Sequence, residues 1–348
     1  MKILHLLPSR TFSGAENVAC QIICMMRSCS DVEMVYCSVD GPIKQTLDSM
    51  NITFAPMKDF SVEEIKRVLK EQKPDIIHAH DMRAAHLASR VCKRGMIVSH
   101  VHNNNHNTRR ISVKSVAYLW AARKARHIFW VSESAYNGYC FNKVLAKKSS
   151  VLYNIIDVEA LYDKMSTDAN SYTYDVAYLG RLCYPKNPER LLRVIAKARE
   201  KKPDIKVAII GDGVLMQESR TLAGELGLLD GCVDFLGFQS NPLKILHDSK
   251  VMIMTSRYEG LPMVALEALA LGVPIVSTPT DGLKEIINNG ENGFLSDNDE
   301  ELAAKIVELL TNEPLRRNLS DNAKEQTKRI NNISLYKGKL LEAYKNNK

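Results

Sequence analysis

The first half of the chain alternates short apolar runs with longer stretches of helical spacing. "KILHLLP", "EMVYCSV", "ITFAPM", "DIIHAH", "MIVSHVH", "HIFWVSE" and "SVLYNI" have the length and the apolar or β-branched content of strands. Between them, "ENVACQIICMMRSC", "SVEEIKRVLKEQ" and a stretch over residues 112–125 read as helices. Strands alternating with helices require crossover connections, and those produce a parallel sheet covered on both faces. After residue 157 the pattern lapses into the polar "DKMSTDANSYTYD", which predicts an inter-domain linker over residues 158–174. A second alternating series follows, with strands in "DVAYLGR", "KVAIIGDG", "VDFLGF", "VMIMTS" and "PIVST". Beyond residue 330, Ile333, Tyr336, Leu340, Leu341 and Tyr344 recur at the spacing of an amphipathic helix.

The expected fold is therefore α/β, with two Rossmann-like parallel-sheet domains over residues 1–157 and 175–330. A helix over residues 331–348 is expected to pack back on the first domain. Sheets of this kind bind ligands at the carboxyl ends of their strands, so a cleft between two such edges is the expected site. The residues with chemistry to offer lie just after strands.

In "SRYEGLPMVALEALALGVPIVST" two glutamates, Glu259 and Glu267, interrupt a stretch that otherwise resembles buried core. A buried carboxylate is costly unless it is paired or hydrogen-bonded, so each needs a partner. Pro262 suits the start of a helix and Gly272 its stop, which places Glu259 in the loop after a strand and Glu267 one to two turns inside the helix. On one continuous helix, eight residues would separate them by ~12 Å. Carboxylates that straddle a single glycosidic bond stand only about 5–9.5 Å apart. The spacing suits an extended ligand.

"GRLCYPKNPERLL" sets Arg181 at a strand end and Lys186 before a helix, where two cations can neutralise a diphosphate. "SGAEN" gives a glycine turn at Gly14 directly before a helix, where free backbone N–H groups favour an anion. "GDGVLM" lacks the third glycine of a dinucleotide fingerprint, with Met216 in its place. His78, His80, His100, His102 and His106 cluster in sequence without H-E-x-x-H spacing or cysteine partners, so no metal site is expected. His100 and His102 share one strand face.

At 348 residues, 45% hydrophobic and 25% charged, the composition is that of an ordinary globular protein. No apolar run approaches the ~18 residues of a membrane span, and "MKILHLLP" is too short for a signal peptide, so a cytoplasmic protein is expected. The eight cysteines form no C-x-x-C pair and are expected to be reduced core residues. The net charge of +7 is concentrated: residues 82–126 hold ten Lys or Arg and no Asp or Glu. Arg109, Arg110, Lys114, Arg123, Lys124 and Arg126 surround a helix whose Val113, Val116, Ala117 and Trp120 form an apolar stripe. The stripe is expected to pack on the first domain and leave the charges facing outward or lining the acceptor side of the cleft. An anionic partner there would be a membrane surface, a lipid diphosphate or nucleic acid, and a lipid-linked saccharide on the cytoplasmic leaflet suits the patch. Nucleic acid is not expected, because Tyr118 and Trp120 lie on the helix and do not build a stacking platform.

Together these motifs resemble a known family. "SRYEGLPMVALEALALGVPIV" resembles the E-x7-E signature of the retaining glycosyltransferases of family 4, group 1, which have the GT-B fold. "SGAENV" is similar to the family's first glycine loop, "HVHNN" to its strand-end histidine and "VLYNIID" to its approach to the linker. "GRLCYPKNPERLL" is similar to its arginine–lysine element, and "IIGDGV" and "VDFLGF" to its uridine-side loops. The resemblance covers nearly the whole chain. Within the family, "VSESAYNGYCF" and "HVHNN" look most like bacterial exopolysaccharide, capsule and O-antigen transferases. Where many members have two glycines in the first loop, this chain has Ser13 and Gly14.

The resemblance implies two domains facing across a cleft, with a nucleotide-sugar donor, a UDP-sugar, held by the second. Glu267 would hold the ribose and Glu259 would lie near the donor sugar. Backbone around Gly260, Leu261, Pro262, Met263 and Val264 would cradle the diphosphate, and Gly14, Gly211, Gly237 and Phe238 would line the donor. Arg181 and Lys186 would neutralise the leaving diphosphate in place of a metal, and His102 would stand near the reaction centre. It also implies retention at the anomeric carbon without a protein nucleophile or cofactor, a lipid-linked or oligosaccharide acceptor, and a peripheral position at the inner face of the cell membrane. The rival with the same fold is a sugar-nucleotide epimerase. An inactive scaffold is disfavoured by the intact set Arg181, Lys186, Glu259 and Glu267.

Overall fold

The computed structural model describes residues 1–102 and 106–345, with His106 as backbone only. Asn103 and Asn104 of "HVHNN" lie outside the described residues, as do residues 346–348 of the expected final helix. The chain divides into two compact units: Met1–Ile155 with Asn332–Lys348, and Ile156–Asn331.

The first unit contains a seven-stranded sheet of β1 (Lys2–Leu6), β2 (Glu33–Val39), β3 (Phe54–Met57), β4 (Ile76–His80), β5 (Ile97–Val101), β6 (His127–Trp130) and β7 (Ser149–Val151). All pairings are parallel, in the order β3-β2-β1-β4-β5-β6-β7. The second unit contains β8 (Val176–Leu179), β9 (Val207–Ile210), β10 (Val233–Gly237), β11 (Val251–Met254), β12 (Ile275–Ser277) and β13 (Gly293–Leu295), also all parallel, ordered β10-β9-β8-β11-β12-β13. Apart from the extra edge strand β7, the two orders are the same. In each, the chain starts at the centre, builds one flank, returns past the first strand and builds the other. That return is the switch point at which ligands of open α/β sheets sit.

The strands form where apolar runs are too short for helices and are covered by helices on both sides, which is why β4, β5, β9, β11 and β12 are buried throughout. β13 has no counterpart in the sequence reading, because three residues between the polar "NNGEN" and "SDNDE" carry too little periodicity. The expected linker is also different. Val158–Ser166 is a helix capped by Asp157, whose carboxylate accepts from the Ala160 amide at 3.0 Å, and it packs within the second unit on the helices Leu243–Asp248 and Met263–Leu271. Only Leu161 of that helix is buried, so its apolar face is too narrow to register as periodicity.

The helix Ile333–Lys345 clusters with the first unit, where the Tyr344 hydroxyl meets His78 Nδ1 at 2.8 Å. The helix Val113–Lys124 reverses the sequence expectation. Its buried residues are Ser115, Tyr118, Ala121 and Ala122, while Val113, Val116 and Trp120 face solvent. Both faces carry apolar residues, so periodicity alone could not say which one packs. Tyr118 decides it: its hydroxyl bonds Ser99 Oγ at 2.9 Å and its ring meets Trp130 and Tyr139 edge-on. All eight cysteines are thiols, but only Cys20, Cys37 and Cys232 are fully buried, and the other five are half-buried.

Candidate functional site

In the second unit the loops after β8 and β11 meet at the carboxyl edge of the sheet. Lys186 Nζ and Glu259 Oε1 form an ion pair at 2.6 Å, largely shielded from water, and Ser256 Oγ donates to the same carboxylate oxygen at 2.6 Å. The Arg257 amide donates to the Pro185 carbonyl at 2.8 Å, and the Arg257 guanidinium donates to Asn187 Oδ1 at 2.9 Å. Thr255 Oγ1 donates to the Asn187 carbonyl at 3.1 Å. Asn187 itself adopts a left-handed conformation, φ +53°, between the short turn Tyr184–Lys186 and the helix Pro188–Lys201. These bonds hold two loops, far apart in sequence, in one arrangement. The sequence reading named Lys186 and Glu259 separately, and the structure joins them. Ser256 and Arg257 carried no signal beyond their closeness to a strand end, and Asn187 was expected only to open the helix that follows it.

Glu259 lies in the loop and Glu267 one turn inside the helix Met263–Leu271, whose N-cap is Pro262 and whose C-cap is the left-handed Gly272. Gly260, Leu261, Pro262 and Met263 are buried beside that helix start, and Val264 and Glu267 are half-buried. Arg181 is exposed at the start of the loop after β8 and makes no ion pair among the described residues, so it brings the positive charge that the Lys186–Glu259 pair cancels within itself. Gly211 is required by packing: with φ +134°, a Cβ there would stand 2.0 Å from the Gly180 carbonyl oxygen. Gly282, absent from the sequence reading, is confined more tightly, with a Cβ position 1.5 Å from the Gly260 carbonyl oxygen. It presses the loop after β12 against the start of the glutamate helix. Gly237 has φ +66° and Phe238 beside it is exposed.

In the first unit, the strand register assembles a row of imidazoles on one face of the sheet. His5 pairs with His78, and His80 with His100. Alternation then puts His102, just past β5, on the same face as His100, as the spacing predicted. His5 Nδ1 meets His80 Nε2 at 2.9 Å, and His80 Nδ1 meets His102 Nε2 at 2.8 Å. His78 stacks on His80 and on His100. Burial pushes His5 and His102 down to about 3, and holds His78, His80 and His100 well below the ordinary imidazole value, so all five are neutral at physiological pH. A neutral imidazole has one donor and one acceptor nitrogen. The row His5–His80–His102 therefore has two proton arrangements, which leave His102 Nδ1 as either the free donor or the free acceptor at its outer end. Among the described residues that nitrogen has no partner, and His102 is 8% exposed.

Two groups, His5 with His78 and His80, and His80 with His100 and His102, bring ring nitrogens within 4.8 Å of one another. His80 belongs to both and uses both of its nitrogens in hydrogen bonds, which favours the bonded row over a cation site. Asp81 follows His80 with φ +95°, ψ +167°, a conformation that costs a non-glycine residue about 1–3 kcal/mol. Its carboxylate caps the next helix through the Ala84 amide at 2.7 Å, and burial raises it to about 6. The sequence reading missed it.

Gly14 opens the helix Gly14–Met26, and a Cβ there would meet nothing within 4 Å. Ser13 Oγ donates to the buried Glu16 carboxylate in the same turn, which opposes the expected anion at this helix end. The six basic residues around residues 109–126 do not act together. Arg126 donates to the carbonyls of Gly95 and Tyr344, and Lys124 to that of Ser89 at 2.9 Å, so both serve the fold. Arg109, Arg110, Lys114 and Arg123 are exposed.

Residues 163–326 match the family described as glycosyl transferases group 1, and residues 13–160 match glycosyltransferase family 4. The chain is 26% identical over 379 residues to the UDP-Gal:alpha-D-GlcNAc-diphosphoundecaprenol alpha-1,3-galactosyltransferase of Escherichia coli, covering 99% of this chain and 96% of that one. It is 30% identical over 197 residues to the N-acetylgalactosamine-N,N'-diacetylbacillosaminyl-diphospho-undecaprenol 4-alpha-N-acetylgalactosaminyltransferase of Campylobacter jejuni, a match spanning 56% of this chain and 53% of that relative. The fold matches that of HepE from Anabaena, solved with UDP and glucose, with a TM-score of 0.82 over 98% of both chains at 21% identity. With both halves matched and the double parallel-sheet architecture shared, the chain belongs to the group 1, family 4 glycosyltransferases of the GT-B fold.

Proposed function

We propose that this glycosyltransferase moves a sugar from a UDP-sugar to a lipid-linked saccharide in bacterial surface polysaccharide synthesis, with retention at the anomeric carbon and without a divalent metal. The observation that carries the reading is the braced Lys186–Glu259 pair at the carboxyl edge of the second sheet, with Arg181 beside it on the β8 loop. The substrates of the Escherichia coli and Campylobacter jejuni relatives support a diphosphoundecaprenol-linked acceptor, and the UDP in HepE supports the donor.

As the glycosidic bond breaks, its electron pair leaves on the diphosphate. Arg181 supplies uncompensated positive charge there, and Lys186, held in place by Glu259, offers its remaining N–H donors. The amides at the start of the helix Met263–Leu271 add dipole stabilisation. Glu267 is assigned to the ribose hydroxyls. The acceptor hydroxyl oxygen bonds to the anomeric carbon on the face from which UDP departs, and its proton passes to the departing diphosphate oxygen. His102, neutral because it is buried, is a hydrogen-bonding partner for a sugar hydroxyl and not a cationic acid. An acceptor at the membrane places the enzyme at the inner leaflet. Among the described residues no helix is long and apolar enough to cross a bilayer.

The test is transfer from UDP-sugars to a synthetic lipid-linked acceptor, followed by NMR. The expected product keeps the donor's anomeric configuration, and turnover persists in EDTA. An inverted product would remove the same-face mechanism. Loss of turnover in EDTA, restored by magnesium or manganese, would remove the role given to Arg181 and Lys186. Free epimerised sugar without an acceptor would establish the epimerase.

A further inference from the structure

The helix Val113–Lys124 and the residues before it carry an apolar surface that the first unit leaves uncovered. Val113 is 87% exposed, Ile111 76% and Trp120 65%, and Val116 is exposed as well. Val113, Val116 and Trp120 follow one helical stripe at i, i+3 and i+7, and Ile111 directly precedes the N-cap Ser112. Single exposed apolar residues are ordinary on any surface, but a continuous group of four that includes an indole marks a contact. Arg109, Arg110 and Lys114 are exposed at the same end of the helix. No Asp or Glu occurs anywhere in residues 82–126.

Cations around aliphatic side chains and an indole fit the boundary layer of a bilayer with anionic headgroups. The aliphatic groups enter the acyl boundary, the indole rests at headgroup depth and the cations lie among the phosphates. A second copy of this chain would bring the same cations face to face, with no acidic residue in the segment to meet them. Charge complementarity thus selects the lipid surface.

We propose that Ile111, Val113, Val116 and Trp120 insert into the headgroup boundary of an anionic membrane, anchored by Arg109, Arg110 and Lys114. This deepens the reading of a lipid-linked acceptor and rests on it for its purpose. It also revises the expected contact. Salt screens the coulombic part of the adhesion and leaves the apolar part in place. Arg126 and Lys124, whose head groups bond to backbone carbonyls of the unit, stay out of it.

The protein has two tryptophans, and Trp130 is fully buried, so a lipid-induced change in emission reports Trp120. The full chain is titrated with vesicles of phosphatidylcholine containing about one third phosphatidylglycerol, and with vesicles of phosphatidylcholine alone. The expected result is a blue shift with the anionic vesicles only, and bound protein that falls but does not vanish at about 0.5 M salt. The double variant Ile111→Ser, Val113→Ser should partition about tenfold more weakly. The variant Arg110→Gln, Lys114→Gln should lose the salt-sensitive part alone. UDP calorimetry on the same proteins, expected to be unchanged, keeps the two readings separate: a chain that binds UDP without a Trp120 shift overturns the insertion and leaves the glycosyl transfer standing. Complete release by salt, with the Ile111→Ser, Val113→Ser variant binding as tightly as the parent, would overturn insertion in favour of a purely coulombic contact. Lipid-free self-association abolished by that variant would assign the stripe to a second copy.

Discussion

The two sheets are built to the same order, yet their centres differ in chemistry. β8, β11 and β12 carry "VAYL", "VMIM" and "IVS", the aliphatic content expected of strands covered on both faces. Their counterparts β1, β4 and β5 carry His5, His78, His80 and His100, and His102 follows directly. The second unit keeps its polar groups at the sheet edge, in Lys186, Glu259 and Ser256, and its interior apolar. The first unit places polar groups inside the sheet, where their hydrogen bonds depend on strand register. The same backbone plan can therefore have a centre indifferent to pH or one tied to it.

The largest expected effect tests that contrast directly. Folding lowers the pKa of the row from the ordinary 6.5, to about 3 for His5 and His102. The unfolded chain then binds more protons than the folded one between those values, so stability is complete above about pH 6.5 and is lost as pH falls towards 3. The slope is about 1.4 kcal/mol per pH unit for each such histidine. Acid should unfold the first unit before the second. Trp130 emission reads the first unit alone, and hydrogen exchange of β8, β9 and β11 reads the second. Simultaneous loss of both signals would erase the difference between the sheets.

Next in size is Glu259→Gln, which leaves Lys186 without its counter-charge at the sheet edge. Turnover should fall on the order of 10²–10³-fold, the usual scale for a lost electrostatic contact at a reaction centre. The midpoint of the Trp130 transition in the first unit should not move. A variant with near-parental kcat would show that the edge pair is only structural.

The smallest change is Tyr344→Phe, which removes the hydroxyl that meets His78 at 2.8 Å and keeps the ring. A buried nitrogen left without its partner costs about 1–3 kcal/mol. The loss should appear in the first unit's denaturant midpoint with UDP affinity unchanged. An unaltered midpoint would mean that the row does not need the final helix.

Most of this contrast was legible in fragments. Strand and helix alternation was enough to place twelve strands and two sheets, because buried parallel strands are short and apolar whatever surrounds them. It failed at β13 and at Val158–Ser166, where few buried residues leave little pattern. It misassigned the packing face of Val113–Lys124 because a small-residue face around Tyr118 packs on the first unit while the bulkier residues point outward. For the site, Arg181, Lys186 and Glu259 stood out as charges after strands, and Glu267 as a carboxylate inside an apolar helix. The Lys186–Glu259 contact did not, since nothing local links residues in different crossover units. The shared face of His100 and His102 followed from a two-residue spacing, whereas the joining of His5, His80 and His102 required the register of three strands. Asp81 carried no signal in the sequence, because its backbone conformation is set by the fold around it.

The hydroxyl of Tyr344 also has a bearing on how the protein is made. The second unit is continuous in sequence, but the first takes in the later helix Ile333–Lys345, whose Tyr344 hydroxyl meets His78. At about 5–20 residues per second, the stretch between Ile155 and Asn332 takes a ribosome on the order of ten to thirty-five seconds to translate. Throughout that delay the nascent first unit lacks the Tyr344 hydroxyl that meets His78 in the finished fold. Of the two units, the one whose translation begins second can be completed first.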